Sequence, residues 1–137
     1  MMRNQVVPVK RLTFLFVLLS FSTAGNAAED ILSGSTLLKN CNSYQKLAGG
    51  SSNSEIILGA GLCLGTVRGI IDAGALFDTF ADQAGNPRPK VFCVPESVST
   101  DRGVRAVIQY LEGHPEDLHQ RGTTLTVLAL KQAFPCR

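Results

Sequence analysis

Residues 54–80 constrain the fold more than any other part of the chain. Ile57, Ala60, Leu64, Val67, Ile71 and Gly74 recur every three or four positions, so they share one face of a helix. Ile56, Cys63, Ile70 and Phe77 form a second apolar row beside it, which predicts a wide buried surface. Ser54 or Asn53 can cap the start, Glu55 suits the first turn, and the Gly85-Asn86-Pro87 run ends the helix. Gly59, Gly61, Gly65, Gly69 and Gly74 oppose it, each costing about 1 kcal/mol relative to alanine. A helix with that handicap needs neighbours packed closely on its glycine rows, and a covalent tie through Cys63 would help hold it. The stretch therefore reads as the central helix of a small cross-linked helical domain.

The N-terminus reads as a targeting segment. Arg3, Lys10 and Arg11 precede an apolar run over residues 12–24, followed by Gly25-Asn26-Ala27-Ala28. This charged, apolar, small-residue order is that of a secretory signal peptide cleaved after Ala27 or Ala28. The run falls short of the ~18 apolar residues of a membrane anchor. Residues 1–28 are thus expected to leave, and residues 29–137 to form one domain without a membrane span. The chain carries 13 Lys and Arg against 11 Asp and Glu. Loss of Arg3, Lys10 and Arg11 leaves ten against eleven, a net charge of −1. No basic patch points to nucleic acid or to an anionic membrane. A domain of this size buries only about two-thirds of its unfolded surface, so staples matter, and four cysteines in an exported chain can provide them.

Around the central helix the sequence predicts three more. Leu37, Leu38, Cys41, Tyr44 and Leu47 suit an amphipathic helix over residues 33–47, capped by Ser33 or Ser35. Gly49-Gly50-Ser51-Ser52-Asn53 is a turn, and residues 82–91, with Pro87 and Pro89, a loop. Phe92-Cys93-Val94-Pro95 reads as extended and partly buried. Ser97 or Ser99 opens a third helix with Val104, Val107, Ile108 and Leu111 inward, ending near Gly113. Pro115, Glu116 and Asp117 suit the first turn of a fourth, with Leu118, Leu125, Leu128 and Ala129 inward. Thr123, Thr124, Thr126 and Val127 are the one hint of strand there.

Two helical hairpins also predict the cysteine pairing. In an antiparallel hairpin, residues equidistant from the turn face each other. Cys41 and Cys63 are centred on the Gly-Gly-Ser-Ser-Asn turn, and Cys93 and Cys136 on His114-Pro115. The pairs Cys41–Cys63 and Cys93–Cys136 follow, each stabilising by about 3–4 kcal/mol in the loop-entropy estimate. A zinc site is the rival use, but no Cys-x-x-Cys is present and the expected compartment is oxidising. The fold class is therefore all-α: a small four-helix domain of two helical hairpins tied by two disulfides.

Chemistry is hard to find. His114 and His119 bracket Pro115-Glu116-Asp117-Leu118, which reads as a turn and a solvated first helical turn rather than a metal site. No Gly-x-Ser-x-Gly elbow organises the serines. The expectation is a protein without catalysis or cofactor. Two candidate contact surfaces remain. One is the loop of residues 82–90, with Asp82, Arg88 and Lys90. The other is a strip of Gly61, Gly65, Arg68 and Asp72, where the absence of side chains would let another helix or a second subunit approach.

The ordered motifs carry a resemblance. Leu37-Leu38 with Cys41, Cys63-Leu64-Gly65-Thr66-Val67-Arg68-Gly69-Ile70-Ile71-Asp72-Ala73 and Phe92-Cys93-Val94-Pro95 come first. Tyr110-Leu111-Glu112-Gly113-His114-Pro115-Glu116-Asp117-Leu118-His119 and Ala133-Phe134-Pro135-Cys136 follow. Together they resemble the Rap/Tai family of periplasmic immunity proteins of type VI secretion systems. Thr66 departs from an aromatic residue at that place in the Cys-x-Gly motif. The resemblance implies an all-helical fold and a partner: a peptidoglycan-cleaving amidase effector, which such a protein binds and blocks. The alternative from a different class is a small periplasmic chaperone that opens under acid stress.

Overall fold

The structure, a computed structural model, describes residues 33–136. The expected signal peptide lies outside the described residues. Four helices make up the domain: α1 (Gly34–Ala48), α2 (Ser54–Gln83), α3 (Thr100–Gly113) and α4 (Gly122–Ala133). Among the described residues there is no strand beyond one isolated bridge between Ser33 and Arg121. Each of the first three helices starts at a polar cap, whose side chain accepts an otherwise unpaired N–H of the first turn. Ser33 accepts from Thr36 N–H, Asn53 from Ile56 N–H and Ser99 from Arg102 N–H.

The core is a cluster contributed by all four helices: Leu37 and Cys41 of α1, Cys63 and Val67 of α2, Val104, Val107, Ile108 and Leu111 of α3, and Leu125 and Ala129 of α4. Cys41 bonds Cys63 with Cα atoms 4.9 Å apart, and Cys93 bonds Cys136 at 5.0 Å. The first bond lies inside the core, since both its cysteines are fully buried. The second ties the extended segment before α3 to the end of α4. There the Cys93 N–H also donates to the Phe134 carbonyl (2.8 Å).

α2 corrects the sequence reading of its faces. Its buried residues are Gly59, Ala60, Cys63 and Val67. Ile57 and Leu64, placed on the inner face above, are exposed, and Phe77 is 71% exposed. The physical reason is length. Thirty residues of helix span about 45 Å, while α1, α3 and α4 each span roughly 20 Å. α1 covers the N-terminal part of α2, where a Cβ on Gly59 would come within 2.8 Å of Ser43 Oγ. α3 covers the middle, with Gly103 against Ile71 and Val67. The Phe92 ring lies against Gly74, 2.7 Å from where a Cβ would be. Beyond that point Leu76, Phe77 and Phe80 are exposed. By length and composition alone α2 could cross a membrane.

Two smaller corrections concern the last hairpin. Pro115–Asp117 forms a separate 3-10 turn, and the fourth helix begins only at Gly122. The break frees the carbonyls of residues between the two elements to serve α1. Gly34 N–H donates to Gln120 O (2.8 Å) and Ser35 N–H to Leu118 O (3.0 Å), satisfying donors that a helix start leaves unpaired. Gly122 in turn sits where a Cβ would meet Leu37 Cβ at 3.0 Å. Leu128, expected inward, is exposed; Leu130 and Thr126 take the buried places. Thr126 is accommodated because its hydroxyl donates to the Gly122 carbonyl (2.8 Å). Burial of this face overrides the β-branched preference of the segment.

Candidate partner-binding surfaces

Both histidines have local partners. His114 stacks on Tyr110, with ring centroids 4.1 Å apart, and its Nδ1 lies 2.8 Å from the Tyr110 carbonyl. His119 Nδ1 lies 2.8 Å from the Glu116 carbonyl. Among the described residues no group of three or more His, Cys, Asp or Glu is arranged to hold a metal ion. All four cysteines are in disulfides.

The first surface is the connection from α2 to α3. The helix runs on through Gln83, so Asp82, expected in the loop, sits in the last turn of α2, while Arg88 and Lys90 lie in the connection; all three are exposed. Gly85, at φ +67°, lets the chain turn out of α2, a conformation in which a Cβ would be strained. Lys90 Nζ approaches Asp78 Oδ2 at 3.8 Å, so the far end of the loop folds back on α2. Between loop and helix lies an open cleft of about 490 Å³, lined by Asp78, Asp82, Lys90, Phe92 and Glu96 among others. Across Phe92, Ile70, Ala73, Phe77, Val91 and Val127 line a more apolar groove of about 300 Å³. The ring of Phe92 thus separates a charged recess from an apolar one, and the Cys93–Cys136 bond fixes the segment that carries it. Sequence reading singled out the loop and read Phe92 as partly buried, but did not include Phe92 in the contact surface. The available signal was Gly74, whose missing side chain marks where another ring seats.

The second surface is the outer side of α2. Among the described residues Gly61, Gly65 and Gly69 have no neighbouring atom within 4 Å of where a Cβ would stand, so none of those residues uses their close-approach geometry. Arg68 and Asp72 lie beside them and pair, Nε to Oδ2 at 2.9 Å and Nη2 to Oδ1 at 2.8 Å. Both side chains are more than half exposed, so the pair contributes at most a few tenths of a kcal/mol to the monomer. Leu58, Leu62, Leu76 and Phe80 are exposed on the same helix. None of these four stands in the two apolar rows that sequence periodicity placed inward.

A compact four-helix scaffold, cross-linked twice and carrying a protruding charged loop and an uncovered apolar helix face, defines a small binding domain. The family model described as Rap1a immunity proteins matches residues 33–136, the whole of the described domain, and the chain belongs to that family. No curated protein and no solved structure matches the chain. Family membership makes the chain an immunity protein, a role of binding a toxin partner, in a family that is generally non-catalytic.

Proposed function

We propose that this protein is exported to the periplasm, losing residues 1–28, and there binds and inhibits a peptidoglycan amidase delivered by a type VI secretion system. The observation that carries the reading is the family match across residues 33–136. Export would place the protein where a cell-wall amidase acts, and its buried Cys41–Cys63 bond suits an oxidising compartment. Blocking an enzyme by stoichiometric binding needs a scaffold that loses little freedom when it docks. Two disulfides and four capped or buttressed helices supply that rigidity. α2 serves as the central helix of this domain rather than as a membrane span.

The loop of residues 82–90 is the toxin-facing element in this reading. Asp82, Arg88 and Lys90 would steer and orient the encounter, and Phe92 with its two recesses would anchor it. Charged rims act mainly on association rate, whereas aromatic anchors in pockets dominate affinity. The test is co-purification with the product of the neighbouring reading frame, together with an assay of that product on purified peptidoglycan. Inhibition complete at a one-to-one ratio is the expected result. An amidase that neither binds nor slows at equimolar concentration overturns the pairing.

The exposed leucines and phenylalanines of α2 keep one other reading in view, a chaperone for acid-stressed clients. It separates cleanly from the first: a chaperone suppresses aggregation of unrelated proteins at low pH, and an immunity protein does not.

A further inference from the structure

The two disulfides stand in different surroundings. Cys41 and Cys63 are both 0% exposed and belong to the cluster that joins all four helices. No thiol reaches that bond unless α1 parts from α2. Cys93 is half-buried, Cys136 is exposed, and neither belongs to the core cluster. Cys93 also lines the open cleft of about 490 Å³, so the second bond can be approached from both of its ends. The Cα separations are nearly equal, 4.9 and 5.0 Å, so access rather than backbone spacing distinguishes the two bonds.

We propose that the Cys93–Cys136 bond is a site of reversible thiol–disulfide exchange with a dithiol, and that its opening releases the Phe92 segment from α2. Exchange begins with attack of a thiolate on one sulfur of the bond, and exposed disulfides are the labile ones. Cys136, the more exposed partner, is the one attacked. A bond forms between its sulfur and one sulfur of the dithiol, and Cys93 leaves as a thiolate that takes up a proton. The second thiolate of the dithiol then attacks its own sulfur in the mixed disulfide. Cys136 is freed and protonated in turn. The dithiol ends as a disulfide, and two electrons and two protons have passed to the cysteine pair.

What opens with the bond is local. The core cluster and the Cys41–Cys63 bond within it are untouched. Phe134, beside Cys136, is buried, and its N–H donates to the Leu130 carbonyl (2.8 Å), so the end of α4 stays in place. The segment around Phe92 is held less firmly. Apart from the disulfide and the ring on Gly74, it is tied by the Cys93 N–H to the Phe134 carbonyl (2.8 Å) and by Lys90 to Asp78 at 3.8 Å. One hydrogen bond and one partly exposed ion pair are weak ties beside a covalent one. The Phe92 ring divides the charged recess from the apolar one, so its release merges the two. On the reading that this surface faces the toxin, the redox state of one bond then decides whether the binding surface is formed. Because the end of α4 does not move away, Cys136 remains near Cys93 and the bond can close again.

The experiment uses the full chain, expressed with its own N-terminal segment and purified oxidised from the compartment where it accumulates. Dithiothreitol supplies the dithiol under native conditions. Samples are quenched with acid at intervals, alkylated and mapped by peptide mass. Cys93 and Cys136 are expected to be labelled together, at least about a thousandfold sooner than Cys41 and Cys63, the factor by which a stable core is closed rather than open. The helix signal in circular dichroism holds its oxidised value while the first pair opens. Replacing dithiothreitol by oxidised glutathione restores the bond. In the selectively reduced protein, trypsin cuts after Lys90 at least about tenfold faster than in the oxidised one, because the segment leaves α2 more often. The double variant Cys93→Ser with Cys136→Ser, which has no such bond, is cut at the reduced rate without any reductant. Equal reduction rates for the two bonds, or earlier opening of Cys41–Cys63, overturns the proposal. So does loss of helix signal in step with the Cys93–Cys136 bond, or cleavage after Lys90 that ignores its redox state. Neither arm contains a toxin, so failure here leaves the immunity reading standing, and failure of that reading leaves both arms intact.

Discussion

Gly59 and Gly61 stand two residues apart on α2, and the same substitution should move stability in opposite directions at the two. Alanine in place of an exposed helical glycine gains about 1 kcal/mol in helix propensity. At Gly61 that is the whole effect, because nothing lies within 4 Å of the new methyl. At Gly59 the methyl would stand 2.8 Å from Ser43 Oγ and 2.9 Å from Ser43 Cβ. Ser43 cannot rotate its Cβ away; only α1 as a whole could retreat, and the Cys41–Cys63 bond close by holds it at 4.9 Å between Cα atoms. Overpacking of this kind costs about 1–3 kcal/mol. The propensity gain is common to both variants and cancels in the comparison. Gly61→Ala should therefore be the more stable of the two by about 1–3 kcal/mol, a Tm gap of roughly 4 °C or more for a domain near this size. Urea denaturation of both variants measures it. Equal stability of the two, or a more stable Gly59→Ala, would refute the claim that close packing of α1 on α2 is what the buried glycine serves.

Replacing Cys41 and Cys63 together by alanine should lower stability by about 3–4 kcal/mol, read from the urea midpoint, since a 22-residue separation is no longer closed in the unfolded chain. Leu111→Ala and Leu125→Ala, both at fully buried positions, should each cost about 2–5 kcal/mol in the same assay, while Leu128→Ala on the surface should cost far less. Asn53→Ala removes the acceptor of the Ile56 N–H and should destabilise by about 1 kcal/mol, with Asn53→Gly much milder. Joint replacement of Asp82, Arg88 and Lys90 by alanine should leave the melting temperature nearly unchanged and slow association with the amidase, measured by stopped flow at low salt.

The number of helices, the caps of the first three to within a choice of two residues each, and the inward face of α3 were legible because each rests on local chemistry. Ser33, Asn53 and Ser99 cap where polar side chains precede apolar periodicity, and Val104, Val107, Ile108 and Leu111 repeat on a face whose opposite side is polar. The disulfide pairing was legible as well, since the symmetry of a hairpin about its turn fixes which residues are level. The family resemblance rested on motifs at the same fixed places. The loop after α2 could be located to within two residues, since the helix runs on through Gln83, but nothing local indicated that Phe92 beside it seats on Gly74.

What the sequence determined by itself is thus the set of elements and their covalent ties. Which face of α2 is the core face was left to the tertiary structure. The helix is apolar nearly all round, so periodicity offers several equivalent rows and no polar side to exclude one. The choice is made by the Cys41–Cys63 bond, by Ser43 seated on Gly59 and by the shortness of the other helices, all of which depend on residues distant in the chain. The same reason explains Gly122. A helix start there looks weak locally, yet it is selected because only glycine admits Leu37 at that distance and because the preceding carbonyls complete the hydrogen bonds of α1.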